Sequence, residues 1–321
     1  MYTIITILIS SILISFFFRK GKVQQELFNF NQTQYLKGIA ILIIILCHTI
    51  GQAKETVIAT PLGGIGVAMF LFMSGYGLQE SYKKNKLTGF WKKKILRIFV
   101  PYTIFITLKN IFIGSFSFKE YFLDIFFIQT SYWYIGYLIK CYIFFYLSSL
   151  FNEKYKLTIL FIGSILSLFL LPPIEAEQPF SFILGVIASI KIKEIRSLSN
   201  KTILLIGGIA IIVGGMALAI KQLPLIREDY SYFLMCQILI KLPLAIGTIV
   251  LCRQYMYNNK LILLCGTYSL ELYLIHMQTL HILRYDSFFL YTVYLMIFII
   301  ITMAITFIYN IICKKAINIL T

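Results

Sequence analysis

The stretch Thr202-Ile-Leu-Leu-Ile-Gly-Gly-Ile-Ala-Ile-Ile-Val-Gly-Gly-Met-Ala-Leu-Ala-Ile220 carries no charged side chain over its whole length. A helix rises about 1.5 Å per residue, so a run of this length covers most of the roughly 30 Å of hydrocarbon in a bilayer. The stretch therefore predicts a membrane-spanning helix rather than a helix at the surface of a soluble protein.

The whole chain has the composition of a protein whose main solvent is lipid. Of its 321 residues, 59% are hydrophobic and 13% are charged, and its mean hydropathy is +0.84. A soluble globular protein carries about 25% charged residues, so a soluble enzyme and a disordered chain are both excluded. Long apolar runs in place of alternating residues also exclude an outer-membrane barrel.

Further apolar runs follow one another along the chain, separated by short polar segments. Together with the first run they predict an all-α, polytopic membrane helix bundle of about eleven transmembrane helices. The runs lie at residues 2–18, 36–51, 61–79, 98–114, 131–150, 157–172, 179–190, 202–220, 232–251, 261–281 and 287–312. The run at 2–18 precedes its basic residues and shows no small-residue cleavage site, so we expect a retained span and not a signal peptide.

Basic residues are concentrated in alternate segments between the runs. Most of the 29 Lys and Arg fall in segments that share one side of the membrane, whereas most acidic residues fall in the others. This bias predicts a multi-pass protein with its N-terminus outside and its C-terminus in the cytoplasm. The net charge of +16 indicates anionic lipid headgroups or a polyanionic ligand. Nucleic acid is not expected, because the basic residues form short clusters between apolar runs.

The six cysteines are scattered along the chain. They do not have the spacing of metal ligands, and they are interpreted as small buried hydrophobic residues. No metal site is predicted.

Ionisable side chains inside apolar runs are costly in lipid and mark functional sites by default. The run Tyr35-Leu-Lys-Gly-Ile-Ala-Ile-Leu-Ile-Ile-Ile-Leu-Cys-His48 places Lys37 and His48 eleven residues apart. On a helix this spacing leaves about 20° beyond whole turns and about 16 Å of rise, so both side chains share one face. A purely structural interpretation is also open. Lys37 would then extend its ammonium to the membrane surface as a determinant of topology, and His48 would form a hydrogen bond with a neighbouring helix.

The run at 61–79 is rich in glycine, and the chain that follows it is rich in lysine. Small residues let membrane helices approach closely, which accounts for most of the glycines. The stretch from Lys83 to Arg97 embeds Phe90 and Trp91 among its basic residues, as an interfacial amphipathic helix on anionic lipid does. The same charges suit the docking of a phosphorylated cofactor, and both interpretations stay open.

Two later runs also carry polar and aromatic residues. Trp133 opens its run and shares a helix face with Lys140, seven residues further on. Tyr273 and His276 share a face in the run at 261–281. Aromatic residues at run ends are usually interface anchors, and a histidine near a helix end is often structural, but a lysine in the middle of a span is neither.

Lys109, Lys241 and Glu271 also lie within apolar runs. Gln237 precedes Lys241 by one helical turn and Pro243 follows it, which indicates a kinked and hydrated position. The pattern assigns no role to these residues.

Five motifs, in order along the chain, resemble those of the acyltransferase 3 family of integral-membrane O-acyltransferases. The motifs are Lys37 with ten residues before His48, Gly66-Val-Ala-Met-Phe-Leu-Phe-Met-Ser74-Gly75-Tyr76, Lys94-Ile-Leu-Arg97-Ile-Phe-Val-Pro101-Tyr102, Trp133 at the head of its run, and Tyr268-Ser-Leu-Glu-Leu-Tyr273-Leu-Ile-His276. The resemblance covers residues 35 to 312. It implies an extra N-terminal transmembrane helix and linker at 1–34 and a membrane acyltransferase domain with a core of about ten spans at 35–321.

The resemblance implies transfer of an acetyl or short acyl group from cytoplasmic acyl-CoA, usually acetyl-CoA, to a hydroxyl of a cell-surface polysaccharide or lipid-linked sugar. The family's pair of a basic residue and a histidine falls on Lys37 and His48, which are the expected catalytic residues. Lys37 is also expected to bind acyl-CoA with the basic cluster of Lys92, Lys93, Lys94 and Arg97. The expected substrate-binding residues are Ser74, Tyr76, Trp133, Lys140, Tyr273 and His276.

Two mechanisms and a second function fit these residues. His48 either takes the proton of the acceptor hydroxyl, as an imidazole with a reference pKa of about 6.5 can, or forms a covalent acetyl-histidine. The alternative function is a flippase or transporter of lipid-linked saccharides that transfers no acyl group. Such a protein also needs many spans and cationic residues within the membrane.

Overall fold

The computed structural model of the protein shows an all-helical architecture. It describes residues 2–16, 18–19, 28–52, 60–113, 117–151, 153–254 and 258–321. Within these residues, the secondary structure consists of α-helices with short π-helical and 3₁₀ turns and one pair of two-residue strands.

The first half of the chain forms mostly long helices, with two short ones among them. They are α1 Tyr2–Phe16, α2 Phe30–Gln52, α3 Thr60–Asn85, α4 Phe90–Lys94, α5 Val100–Ile113, α6 Phe118–Ile125, α7 Trp133–Leu150 and α8 Glu153–Leu170. A π-helical turn, Ile95–Phe99, joins α4 to α5.

The second half alternates short and long helices. They are α9 Pro173–Ala176, α10 Ser181–Ile190, α11 Ile192–Ser197, α12 Asn200–Ile220, α13 Pro224–Glu228, α14 Tyr230–Gln254, α15 Lys260–Thr267, α16 Ser269–Thr279 and α17 Phe288–Leu320. Leu280–Ile282 is a 3₁₀ turn. The strands β1 Phe18–Arg19 and β2 Asn258–Asn259 pair antiparallel.

Several helices begin at a serine that caps them. The side chains of Ser117, Ser199 and Ser287 accept hydrogen bonds from the backbone N–H three residues further on, at the starts of α6, α12 and α17. Such caps satisfy backbone donors that the first turn of a helix leaves without partners.

Six helices among the described residues are long and apolar enough to cross a membrane. They are Phe30–Gln52, Pro61–Asn85, Phe90–Phe112, Asn200–Ile220, Tyr230–Cys252 and Phe289–Leu320. These helices confirm a multi-pass, all-α membrane protein, whereas the predicted number of eleven spans is not confirmed. The other five predicted runs coincide with α1, α7, α8, α10 and the pair α15–α16, which are shorter or more polar. The run at 261–281 is interrupted at Tyr268, and its two helices have 8 and 11 residues.

The described helices divide into two compact units. The first unit is Met1–Lys84 with Leu147–Thr267. In it α2 packs against α3 and α15, and α12 packs against α14. Helices α3 and α10 touch backbone to backbone, because a Cβ on Gly75 would collide with the carbonyl of Phe182 and one on Gly185 with that of Phe72. Such contact requires small residues.

The second unit is Asn85–Tyr146 with Tyr268–Thr321. In it α16 and α17 pack against each other and against α5. The side chains of Tyr102, Tyr291 and Phe145 are fully buried in its core. A hydrogen bond of 2.7 Å between the hydroxyls of Thr279 and Thr302 further ties α16 to α17.

Candidate functional site

Lys37 and His48 lie in one uninterrupted helix, α2. Their spacing puts both side chains on one face, about 16 Å apart along the axis. Ile41 and Ile44, which lie between them on nearly the same face, are fully buried. The face that carries the lysine and the histidine therefore points into the first unit, and both side chains are themselves half-buried.

Helix α3 packs against α2 through its glycines. A Cβ on Gly66 would lie 2.6 Å from the carbonyl oxygen of Ala40, and a Cβ on Gly63 would lie 3.1 Å from the Sγ of Cys47. Gly66 comes later on α3 than Gly63, but its partner Ala40 comes earlier on α2 than Cys47. The two helices are therefore antiparallel. The beginning of α3 is therefore level with His48.

Helix α15 packs against another side of α2. A Cβ on Gly38 would collide with the carbonyl of Ile262, and a Cβ on Gly266 would collide with that of Gln34. Contacts on two sides hold α2 in place and fix the direction of its Lys37–His48 face.

Ser74 and Tyr76 lie further along α3. Ser74 is eleven residues beyond Gly63, or about 16 Å along the helix. Because α2 and α3 are antiparallel, Ser74 is level with the Lys37 end of α2 and not with the His48 end. Tyr76 is buried, with its ring 4.5 Å from that of Phe28.

The first unit also contains an apolar cavity of about 280 Å³. It lies among α3, α10, α11, α12 and α14, and its lining includes Phe28, Phe72, Leu184 and Ile249. All of its lining residues are apolar, so the cavity offers no group for acid–base chemistry.

Another buried cation, Lys241 of α14, lies at the end of α2 that carries His48. The sequence pattern assigns no role to Lys241. Its side chain lies over Gly64 of α3, where a Cβ would come within 2.6 Å of the lysine Cδ. The Lys241 ammonium pairs with the carboxylate of Glu177, which follows α9, and both side chains are largely buried. The sequence marks Lys241 as unusual because it lies in an apolar run. It does not identify the partner, Glu177, which is 64 residues away.

The segment around Glu177 also bonds to α3. Gln178 donates from Nε2 to the carbonyl of Gly64 at 2.8 Å. The Ser181 hydroxyl donates to Oε1 of the same glutamine at 2.9 Å. These bonds hold Glu177 beside the first turns of α3.

The basic cluster lies in the second unit, on α4 and the π-helical turn. Lys92, Lys93 and Arg97 are exposed, as a phosphate- or lipid-binding role requires. Lys94 is half-buried, and its Nζ lies 4.4 Å from the centre of the Tyr142 ring in a cation–π contact. Three of the four predicted cations are therefore accessible to an anionic ligand, and the fourth packs on an aromatic ring.

The remaining predicted residues also belong to the second unit. Tyr273 and His276 are buried, whereas Lys140 is exposed and Trp133 is half-buried. The Tyr273 ring packs edge-on against that of Tyr134, at 5.2 Å between centroids. His276 forms a hydrogen bond of 2.8 Å between Nδ1 and the carbonyl of Leu272 in its own helix.

The second unit contains a polar network that the sequence did not predict. Asp124 accepts a hydrogen bond of 2.7 Å from the hydroxyl of Tyr102 and pairs with Lys109 at 3.5 Å. The same hydroxyl lies 2.8 Å from that of Thr130. The sequence marks Lys109 of α5 as unusual because it lies in an apolar run. Its partner, Asp124, lies on the next helix, α6.

The predicted residues thus belong to two units. Lys37, His48, Ser74 and Tyr76 are in the first, and the basic cluster with Trp133, Lys140, Tyr273 and His276 is in the second. Among the described residues, no group of three or more His, Cys, Asp or Glu could hold a metal ion.

Comparison with known proteins gives one match. The family model of the acyltransferase 3 type, described as an acyltransferase domain, matches residues 31–311. The matched range contains every predicted site residue. Comparisons with curated proteins and with solved structures find no match.

Proposed function

The chain belongs to the acyltransferase 3 family, and we propose that it moves an acetyl or short acyl group from cytoplasmic acyl-CoA to a hydroxyl of a cell-surface polysaccharide or lipid-linked sugar. The family match and the multi-pass helices support an acyltransferase that works in a membrane. Helix α2 carries the proposal further, because its Lys37–His48 face points into the protein and not into lipid.

In the proposed reaction, His48 accepts the proton of the acceptor hydroxyl while the hydroxyl oxygen attacks the thioester carbonyl. The tetrahedral intermediate then breaks its C–S bond, and the CoA thiolate leaves with the proton that His48 returns. An imidazole suits both steps because its reference pKa is about 6.5. A covalent route would instead form and then break an acyl–nitrogen bond at His48.

The donor end of the proposed site is the Lys37 end of α2. The rise of about 16 Å between Lys37 and His48 is comparable to the reach of the pantetheine arm of CoA. Lys92, Lys93 and Arg97 would supply exposed charges for the CoA phosphates. Ser74 and Tyr76 are level with Lys37, so we assign them to donor binding.

We also propose Trp133, Lys140, Tyr273 and His276 of the second unit as substrate-binding residues, since aromatic rings such as those of Trp133 and Tyr273 suit the faces of a sugar. The proposal includes a bacterial-type cytoplasmic membrane with the N-terminus outside and the C-terminus inside. The basic residues of alternate loops support that orientation.

The test supplies acetyl-CoA with a labelled acetyl group to the purified full chain in lipid nanodiscs, together with candidate acceptor glycans. We expect label to enter the glycan as an alkali-labile ester, with one free CoA thiol released for each ester formed. Translocation of a lipid-linked saccharide in proteoliposomes with no thiol released would contradict acyl transfer and favour a flippase.

A further inference from the structure

Two polar side chains of α14, Gln237 and Lys241, lie one turn apart on one helix face. Only 8% of Gln237 and 6% of Lys241 are exposed. Burying polar groups within a membrane helix is costly unless they have partners or a function.

Lys241 is held in position by two contacts. Its aliphatic stem lies over Gly64, and its ammonium pairs with Glu177. An ammonium has three N–H donors, and the pair with Glu177 engages one of them. Because lysine and glutamate together carry no net charge, the pair suits a neutral ligand better than a phosphate.

Gln237 has a buried carbonyl that is not satisfied. Its Oε1 is inaccessible and has no hydrogen-bond partner within the described part of the chain. Leaving such an atom unpaired is unfavourable, because it loses its hydrogen bonds to water without gaining others. An unpaired acceptor one turn from a buried ammonium is suited to a ligand group that both donates and accepts, as a hydroxyl does.

Lys241 lies at the end of α2 that carries His48. Cys47 contacts Gly63, and the following residues of the two helices are His48 and Gly64. Lys241 lies over Gly64, so its side chain is within about one helical turn of His48 along the helix axis. The ion pair is therefore well placed to hold a molecule whose hydroxyl reacts at His48.

We propose that Gln237 and Lys241, with Glu177 holding the lysine, form a subsite at the His48 end of α2 that binds hydroxyls of a neutral sugar on the acceptor. This inference rests on the proposed function, to which it adds the place and chemistry of acceptor recognition. The Gln237 carbonyl accepts a hydrogen bond from one sugar hydroxyl, and the Lys241 ammonium donates to the same or a neighbouring one.

The first test compares Gln237→Leu with Gln34→Leu. Gln34 is a matched control because its Oε1 is also buried without a partner, but on α2 beside α15. Both changes remove an unpaired carbonyl, so both variants should keep or raise the Tm of the wild type. Gln237→Leu should raise the acceptor KM about tenfold with the acyl-CoA KM within about twofold, whereas Gln34→Leu should leave the acceptor KM unchanged. An unchanged acceptor KM in Gln237→Leu would overturn the subsite.

The second test moves Lys241 without changing it. The three atoms nearest to a Cβ on Gly64 all belong to the flexible side chain of Lys241, whereas Gly77 on the same helix has open space around it. Gly64→Ala should raise the acceptor KM several-fold, and Gly77→Ala should not. Equal acceptor KM values in the two variants would refute the role of Lys241.

Failure of the proposed function gives a different result. If the wild type transfers no acyl group, the subsite is tested by the thermal shift that neutral methyl glycosides cause. A shift in the wild type that Gln237→Leu loses supports the subsite without acyl transfer, and no shift in the wild type overturns it.

Discussion

Cys47 of α2 lies directly against Gly63 of α3, where a Cβ on the glycine would come within 3.1 Å of the cysteine Sγ. The next residues of the two helices are His48 and Gly64, and Gly64 carries the side chain of Lys241 above it. This contact places the proposed catalytic histidine within about one helical turn, along the helix axis, of the glycine beneath Lys241.

Close packing of α2 on α3 should depend on Gly66. An alanine there would meet the Ala40 carbonyl oxygen at 2.6 Å and Ile44 at 2.7 Å. We expect Gly66→Ala to destabilise the protein by about 1–3 kcal/mol through overpacking. Gly77→Ala is the control, since open space surrounds it and alanine favours helix. Thermal unfolding in detergent measures both, and equal Tm values would contradict the packing.

The Lys241–Glu177 pair should be more harmful to break than to replace. Lys241→Met leaves a buried carboxylate without its cation, which typically costs about 3–5 kcal/mol. The double variant Lys241→Met with Glu177→Leu should recover most of that loss, because a buried pair exchanged for apolar groups is often neutral. Unfolding measurements on the three proteins decide the point, and a double variant no more stable than Lys241→Met would speak against a buried pair.

The exposed cations of α4 should act on the phosphates of CoA. We expect Lys92→Ala with Lys93→Ala to raise the KM for acetyl-CoA several-fold, because charge-assisted bonds to phosphate are lost. A short acetyl thioester that lacks the phosphates should show no such increase. Lys119→Ala, which also removes an exposed lysine of the second unit, is the control. The same KM increase with both donors would show that the cluster does not recognise phosphate.

The Tyr102 hydroxyl should stabilise the second unit. It bonds to Asp124 and Thr130, and the ring is fully buried. Removing it by Tyr102→Phe should cost about 1.5–3 kcal/mol, as expected for a hydrogen bond to a charged group. Tyr155→Phe, at an exposed tyrosine of α8, should change stability by less than about 0.5 kcal/mol. A Tyr102→Phe protein as stable as the wild type would show that the network does not contribute to stability.

The sequence predicts the class of fold because a helix that crosses the lipid must consist almost entirely of apolar residues. Charge-free runs such as 202–220 appear as helices with nearly the same limits. Hydropathy alone predicts one run over 261–281 and misses the interruption at Tyr268, although the small and polar residues of Gly266-Thr-Tyr-Ser269 are a turn signal. The π-helical turn at Ile95–Phe99 has no sequence signal that we recognise.

Part of the candidate site is also predictable from sequence. The spacing of Lys37 and His48 fixes their shared face once α2 is a helix, because the geometry is local. The partners of Lys241 and Lys109 are not predictable, since they depend on how distant segments pack. A single sequence identifies a costly charge in a membrane helix but does not identify the residue that neutralises it.

The most direct test of the account compares His48→Ala with His281→Ala, an exposed histidine outside the proposed site. Both proteins receive labelled acetyl-CoA and acceptor glycan under the conditions used for the wild type. Loss of a positioned acid–base group typically costs about 10²–10⁴-fold in rate, so His48→Ala should lose acetyl transfer on that scale while His281→Ala keeps it. Equal transfer by the two variants would contradict the central role of His48.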